Sequence, residues 1–346
     1  MGLGRLARII AVAMMVLSIG FIAARYVNTS QPILIVGALL GPGMFIISTT
    51  AAIVVGRRLP MRIRFALALL GTMVLAVVVV GPSRSQAICR VEANSAAGTG
   101  TYTVYSHNVL WRRGDPAVVA QQIMEAEADL VLLQEAESAF VAELVAELGD
   151  QFPYVIEAES DETLSLATLS RLPIADVIDT GVTRRANSNA DSDADSDAEP
   201  ENPMLIFTVE TPAGPTRVAN VHLTAPVTQD RAKQRQRELE TLAKMGDELT
   251  MIIGDFNAST AHKPFRDLLG DVGYGDAHAE LGCDFGATWT PFVSAPGFAQ
   301  IDLLHLDHVL IKPPLAPTSY VEAGRAGSDH RGIVVGLTEA SDLDAD

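Results

Sequence analysis

The stretch Met251-Ile252-Ile253-Gly254-Asp255-Phe256-Asn257 limits the fold more than any other in the chain. Its branched apolar run reads as a buried strand, and the glycine lets the strand end turn tightly, so that Asp255 and Asn257 stand at the tip. Side chains alternate along an extended backbone, so Asp255 and Asn257 face the same way while Phe256 packs opposite. A carboxylate and an amide are therefore delivered together by a rigid element. A strand end closed by an Asx-turn would give the same letters, and only the rest of the chain separates the two readings.

The front of the chain is of another kind. Of 346 residues 48% are hydrophobic and 19% charged, with a mean hydropathy of +0.24, and the apolar excess lies in three uncharged stretches near 9–24, 32–56 and 65–81. Each approaches bilayer-spanning length, and soluble core helices would carry a polar stripe that these lack. The first is also short enough for the apolar core of a signal peptide behind Arg5 and Arg8, but two further spans follow and favour a retained helix. Arg57, Arg58, Arg62 and Arg64 crowd the loop before the third span, which sets the amino terminus inside. The expectation is a multi-pass cell-membrane protein whose large second part faces the extracytoplasmic side. Residues 1–82 would form the anchor in the lipid bilayer, 83–100 a linker, 101–338 the folded outer domain and 339–346 an acidic tail. An Asn, Ser, Asp and Glu tract at 186–202 reads as a disordered acidic insertion, since it lacks the glycine of a calcium loop.

Charge divides the same way. The first hundred residues carry +8 against −25 for the remainder. So acidic a domain lacks the basic footprint of a nucleic acid binder, although bound metal can reverse the sign locally. An oxidising compartment would permit Cys89 and Cys283 to pair, but spacing alone leaves a disulfide and two free thiols equally open.

Along the domain, strands are expected at 101–110, 129–134, 163–169, 204–210, 217–223, 251–253, 287–290, 306–312 and 333–337. Helices are expected from Pro116, capped by Asp115, from an N-cap at Ser138 to Leu148, and from Thr228 to Glu248. This alternation gives a layered α/β domain with two sheets packed inside helices.

Polar groups then recur at strand ends: Asn108, Glu135, His222, Asp255 with Asn257, Asp307, and Asp329 with His330. A hard cation such as Mg²⁺ takes a few carboxylate oxygens and keeps several waters, so Glu135 and Asp329 can share one and leave room for a phosphate oxygen. Asp302 rivals Asp307, but the strand that runs on to Ile311 favours the latter. His107, His305 and His308 are read as packing or surface residues and Trp289 as a core aromatic.

In order, Asn108, Gln134-Glu135, Ser170-Arg171-Leu172-Pro173, Asn220-Val221-His222-Leu223, Gly254-Asp255-Phe256-Asn257, Leu306-Asp307-His308-Val309 and Ser328-Asp329-His330 resemble the motifs of the endonuclease/exonuclease/phosphatase, or DNase I-like, superfamily. The resemblance implies a four-layered α/β sandwich with a metal-dependent site at one edge. It makes Glu135 the principal ligand of Mg²⁺, or of Mn²⁺ or Ca²⁺, with Asn108 and Asp329 completing the metal or phosphate shell. Asp255 would orient or deprotonate water, Asn257 would hold phosphate, Asp307 would orient His330, and His222 would meet the phosphate or leaving group. Arg171 would support the site. Whether Asp255 or His330 takes the proton stays open. The implied activity is hydrolysis of a phosphorylated substrate. The anchor and the acidity are similar to an exported branch linked to teicoplanin resistance, which points to a lipid-linked pyrophosphate. A nuclease acting on DNA or RNA is the alternative, disfavoured by the charge, and a non-catalytic membrane scaffold the third reading. No protein partner is expected.

Overall fold

Strand β2 (Leu130–Gln134) exposes none of its five residues, because it lies in mid-sheet with apolar matter on both faces. The computed structural model that shows this describes residues 3–27, 29–35, 37, 44, 45, 48, 100–158, 165–180, 203–283, 286–290, 302 and 304–340. Among them twelve strands make two six-stranded sheets. The first sheet joins β1 (Tyr102–Asn108), β2, β3 (Tyr154–Ala158), β4 (Leu166–Ser170), β11 (Leu315–Glu322) and β12 (Ile333–Glu339), in the order β11-β12-β1-β2-β4-β3. The second joins β5 (Ile174–Asp179), β6 (Met204–Thr211), β7 (Gly214–His222), β8 (Met251–Asp255), β9 (Gly275–Asp276) and β10 (Asp307–Ile311), in the order β5-β6-β7-β8-β10-β9.

Three apolar cores separate the layers. Val104 and Leu132 meet Phe207, Ile253 and Val309 between the sheets. On the outer face of the first sheet, Val131 and Leu133 pack beneath α2 (Pro116–Glu125) and α3 (Ser138–Leu148). On the outer face of the second, Ile252 and Phe256 pack beneath α4 (Gln229–Lys244) and α5 (Lys263–Val272). The sheets are also bolted together by a buried polar bridge. Gln134 Nε2 donates to Asn220 Oδ1 at 2.9 Å, and Asn220 Nδ2 donates to the Ala167 carbonyl at 3.0 Å. Since unmet buried polar groups are costly, this bridge fixes the mutual height of the two sheets and hence of their strand ends.

Several expectations need correction. The N-cap of α3 is Glu137, while the Ser138 hydroxyl turns to Glu157 at 2.8 Å. Residues 287–290 make no strand, only isolated bridges at Trp289. Strands β3, β5, β9 and β11 and helix α5 lie where the sequence pattern predicts no element.

The larger correction concerns the front of the chain. Among the described residues no helix is long and apolar enough to cross a membrane, which overturns the multi-pass, extracytoplasmic placement. Helix α1 (Leu3–Ala24) contains Arg5 and Arg8. Its uncharged part, from Ile9, is therefore about 24 Å long at 1.5 Å per residue, against a hydrocarbon core of about 30 Å. The segment after α1 instead rests on protein: the Arg266 guanidinium donates to the Arg25 carbonyl and lies 5.8 Å from the Tyr26 ring centre. The span at 65–81, most of that at 32–56, the linker apart from Gly100, the insertion at 186–202 and the tail beyond Ala340 lie outside the described residues. So does Cys89, while Cys283 is buried and disulfide-bonded.

Candidate active site

Strand register builds the site. On the second sheet His222 of β7 stands opposite Asp255 of β8, and Asp255 opposite Asp307 of β10, so three neighbouring strands end on one row. Gly254 is required here because a Cβ would come within 2.0 Å of the Val221 carbonyl, and its φ of +138° suits glycine alone. On the first sheet Asn108 pairs with Gln134, one residue before Glu135. Glu135 and Asn257 turn off their strands at φ +57° and +46°, in the left-handed region that asparagine tolerates and glutamate rarely adopts. Such strain persists where neighbours fix the residue, and it gathers at working sites. Here the Trp111 N–H donates to Glu135 Oε2 at 3.0 Å and Asn108 Nδ2 to Oε1 at 3.1 Å.

The groups converge. Asn108 Nδ2 also donates to Asp255 Oδ2 at 3.1 Å, and His222 Nε2 lies 3.7 Å from Glu135 and 3.6 Å from Asp255. His330 Nε2 stands 3.6 Å from Asp255 Oδ2, while its Nδ1 meets Asp307 Oδ2 at 2.8 Å. Asp255 Oδ1 accepts the Asn257 N–H at 2.8 Å, so the Asx-type turn and the shared face are both present, and Phe256 packs on the far side against Phe265. Asp302 pairs instead with Arg325 and Arg331, which leaves Asp307 as the partner of His330.

Burial would lower the His330 imidazolium, but Asp307 and Asp255 outweigh it and hold it up to about 10. Burial raises Asp255 against the pull of His330, whereas Asp307, raised by burial, is brought below its usual value by the same histidine. The row thus sets the His330 imidazolium against the Asp307 carboxylate, with the raised Asp255 on its other side.

Asn108 stands beside Glu135 and Asp255: its Oδ1 accepts the Leu110 N–H at 3.0 Å and its amide nitrogen ties the two carboxylates together. One residue is not where the sequence pointed. Arg171 lies at the opposite end of the first sheet, where Ser170 pairs with Leu130, and its guanidinium binds Gln151 at 3.2 Å, so it has no contact with the site. Asp329 does face the cleft, with Oδ2 accepting Trp289 Nε1 at 2.9 Å and Oδ1 buried without a hydrogen-bond partner. Trp289 thus lines the cleft and is not a core aromatic.

Supporting residues were missed. Buried Arg235 donates to the Asn257 carbonyl, and Ser328 Oγ accepts the His330 N–H at 3.0 Å while donating to the Asn108 carbonyl at 2.7 Å. The neutral His107, lowered to about 4 by burial, has Nε2 3.3 Å from the His330 carbonyl. Arg235 was hidden in a polar helix, where only its burial marks it. The cleft above these groups has a volume of about 650 Å³, and Leu110, Leu223, Val227, Leu304 and Leu306 make much of its wall.

The carboxylates of Glu135 and Asp329 make an oxygen-rich donor set suited to a hard divalent cation, and the orphaned Asp329 Oδ1 is an acceptor that such an ion would satisfy. Among the described residues Asp255, Asp307 and His330 also place donor atoms within 4.8 Å of one another.

The model of the endonuclease/exonuclease/phosphatase family matches residues 105–330. A search of curated proteins finds no match. Among solved structures, an endonuclease/exonuclease/phosphatase from Beutenbergia cavernae DSM 12333 is 18% identical over 69% of this chain and 72% of its own, with a TM-score of 0.52. One from Bacteroides vulgatus is 16% identical over 69% of this chain and 99% of its own, with a TM-score of 0.53. D. rerio TDP2 complexed with single strand DNA product is 16% identical over 69% of this chain and 99% of its own, with a TM-score of 0.51. At these identities the likeness is one of fold. The family hydrolyses phosphoesters, as nucleases and phosphatases, and generally with divalent metals. A match that runs from β1 to His330, through every strand end that supplies the cleft, makes this chain a member of the endonuclease/exonuclease/phosphatase family.

Proposed function

We propose that the chain is a divalent-metal-dependent hydrolase of phosphate esters whose substrate carries an apolar group beside the phosphate. The observation that carries this reading is the row Asp255, His330 and Asp307, set 3.6 and 2.8 Å apart at the floor of an apolar-walled cleft. Glu135 and Asp329 would hold Mg²⁺, which supplies neutralisation of phosphate charge. The chain's own groups do the rest. His330 is already protonated at neutral pH, so it donates to the developing negative charge and leaves proton abstraction to Asp255. Burial lifts Asp255 toward the basicity that task needs. Asp307 keeps His330 charged and oriented. His222 faces the same space and serves the phosphate or leaving group, while Asn257, which donates to the Leu223 carbonyl at 2.9 Å, holds the phosphate rim.

The wall of leucines and valine favours a lipid-linked phosphate or pyrophosphate over a nucleic acid strand, whose polyanion the charge of −17 also repels. A nuclease is the second reading, supported by the fold shared with a DNA-bound structure. The test offers the purified full chain a polyprenyl pyrophosphate, a phosphatidyl diester and plasmid DNA, each with Mg²⁺ or chelator, with Asp255→Ala and His330→Ala as blanks. Metal-dependent turnover of a lipid substrate is expected. Turnover of DNA alone would reverse the ranking, and no turnover of any ester would end the proposal.

A further inference from the structure

A second cluster of ligating side chains lies on the other face of β10. Side chains alternate along a strand, so Asp307 turns to the cleft and His308 into the layer beneath α5, where its ring packs 4.5 Å from that of Phe265. Asp276, at the end of β9, meets His308 Nδ1 with Oδ2 at 2.7 Å. His305, three residues earlier in the chain, brings its ring to 4.5 Å from that of His308 at 89°. Both ring nitrogens of His305 are shielded from solvent and neither has a hydrogen-bond partner. An imidazole with a lone pair and an N–H both unmet in the interior is costly, and nothing in the phosphoester site uses it.

We propose that Asp276, His305 and His308 bind a zinc ion that staples the β9 end and the loop before β10 to β10 itself. Two imidazoles and one carboxylate are a donor set that zinc takes, with a fourth position for water or for a neighbour such as His278, whose ring lies 4.3 Å from His305. The outer contact is already made: His308 Nε2 donates to the Ala258 carbonyl at 3.0 Å, the bond that turns Nδ1 toward a metal. The three donor atoms lie within 4.8 Å of one another. Ligands of one zinc stand roughly 3.3 Å apart, so binding asks for a closure of about 1.5 Å at most, by rotation of His305. The proton that Nδ1 now shares with Asp276 leaves to solvent as the ion enters, and the ion restores a cation beside the buried carboxylate. The site is independent of the phosphoester reading.

The test strips the full-length protein with chelator and titrates it with Zn²⁺, then with Co²⁺ as a visible probe. One tight equivalent is expected, with the intense visible bands of a four-coordinate Co²⁺ site. His305→Ala should weaken it on the order of 100-fold, whereas Glu135→Gln, in the cleft, should leave it in place. In the unaltered protein the imidazole nitrogen resonances of His305 and His308 should shift with Zn²⁺ while those of His107 do not, a readout that survives even if His305→Ala fails to fold. Absence of a tight equivalent, its persistence in His305→Ala, its loss in Glu135→Gln, or unshifted His305 and His308 signals would each overturn the proposal.

Discussion

Two buried histidine–carboxylate pairs sit back to back on β10, and they are nearly the same in themselves. His330 meets Asp307 at 2.8 Å and His308 meets Asp276 at 2.7 Å. In both, burial would lower the imidazolium and the carboxylate more than compensates. They differ at the far nitrogen. His330 Nε2 points to Asp255 and the open cleft, while His308 Nε2 ends on a backbone carbonyl. What a histidine–carboxylate pair can do is decided by the group left at its outer end, since a nitrogen tied to the backbone has no proton to offer a substrate.

Substitutions can break this contrast. The largest expected effect is that of Asp255→Asn, which keeps the shape but removes the base: kcat/KM for phosphoester hydrolysis should fall about 10³ to 10⁴-fold, on the order of 4–5.5 kcal/mol. Steady-state kinetics beside a circular dichroism check of folding would show it, and near-normal turnover would take Asp255 out of the chemistry. Next comes the closed pair. His308→Ala strands the Asp276 carboxylate, which burial raises and His308 outweighs to hold near about 2, and urea unfolding should show a loss of about 3–5 kcal/mol. Unchanged stability would make that pair a bystander.

Asp307→Asn sharpens the contrast through pH. His330 acts as the charged form, so activity should persist below its raised value of about 10 and fall as pH rises through it. Without Asp307 that basic limb should move down by more than a unit and kcat/KM at neutral pH should drop about 100-fold, on the order of 2.7 kcal/mol. A limb that stays in place would separate Asp307 from His330.

His107 supplies the opposite sign. It is neutral in the fold at about 4 and ordinary, near 6.5, when unfolded. Stability is therefore full above pH 6.5 and should decline as pH falls toward 4, by on the order of 2–3 kcal/mol, because only the unfolded chain takes up the proton. His107→Gln should flatten that part of a denaturation series, and an unaltered slope would assign the acid sensitivity elsewhere. The smallest effect is that of Arg171→Ala, which should change kcat/KM less than about twofold, since its guanidinium touches Gln151 at the far end of the sheet. A large loss would reopen its link to the site.

The sequence disclosed the inner strands better than the edges. Strand β8 announced itself because a strand buried on both faces must be a continuous apolar run, and the polar residues at its tip then stood out. Strands β3 and β5 close the sheets and expose most of their residues, so Tyr154–Ala158 and Ile174–Asp179 are short strand-prone stretches without the long apolar run of a central strand. At the site, Asp255 and His330 were legible as polar groups at strand ends. Asn108 was legible in place but not in partnership, since which atom of an amide faces a carboxylate is set by the neighbouring Leu110 N–H. Arg235 and His107 act through single backbone carbonyls, a contact that leaves no pattern in the letters. The uncharged stretch from Ile9 reads as a span by composition, but its helical part ends at Ala24 and rises only about 24 Å, short of a hydrocarbon core of about 30 Å.

The central claim is that strand ends from two sheets meet around one metal-assisted phosphoester site. Titrating Mg²⁺ into the chelator-treated protein while following hydrolysis of a chromogenic phosphodiester, for the unaltered chain and for Glu135→Gln, tests it most directly. The account predicts no turnover without divalent ion and at least a tenfold higher Mg²⁺ requirement in Glu135→Gln. Turnover that ignores the chelator, or a Glu135→Gln curve that overlies the first, would contradict it.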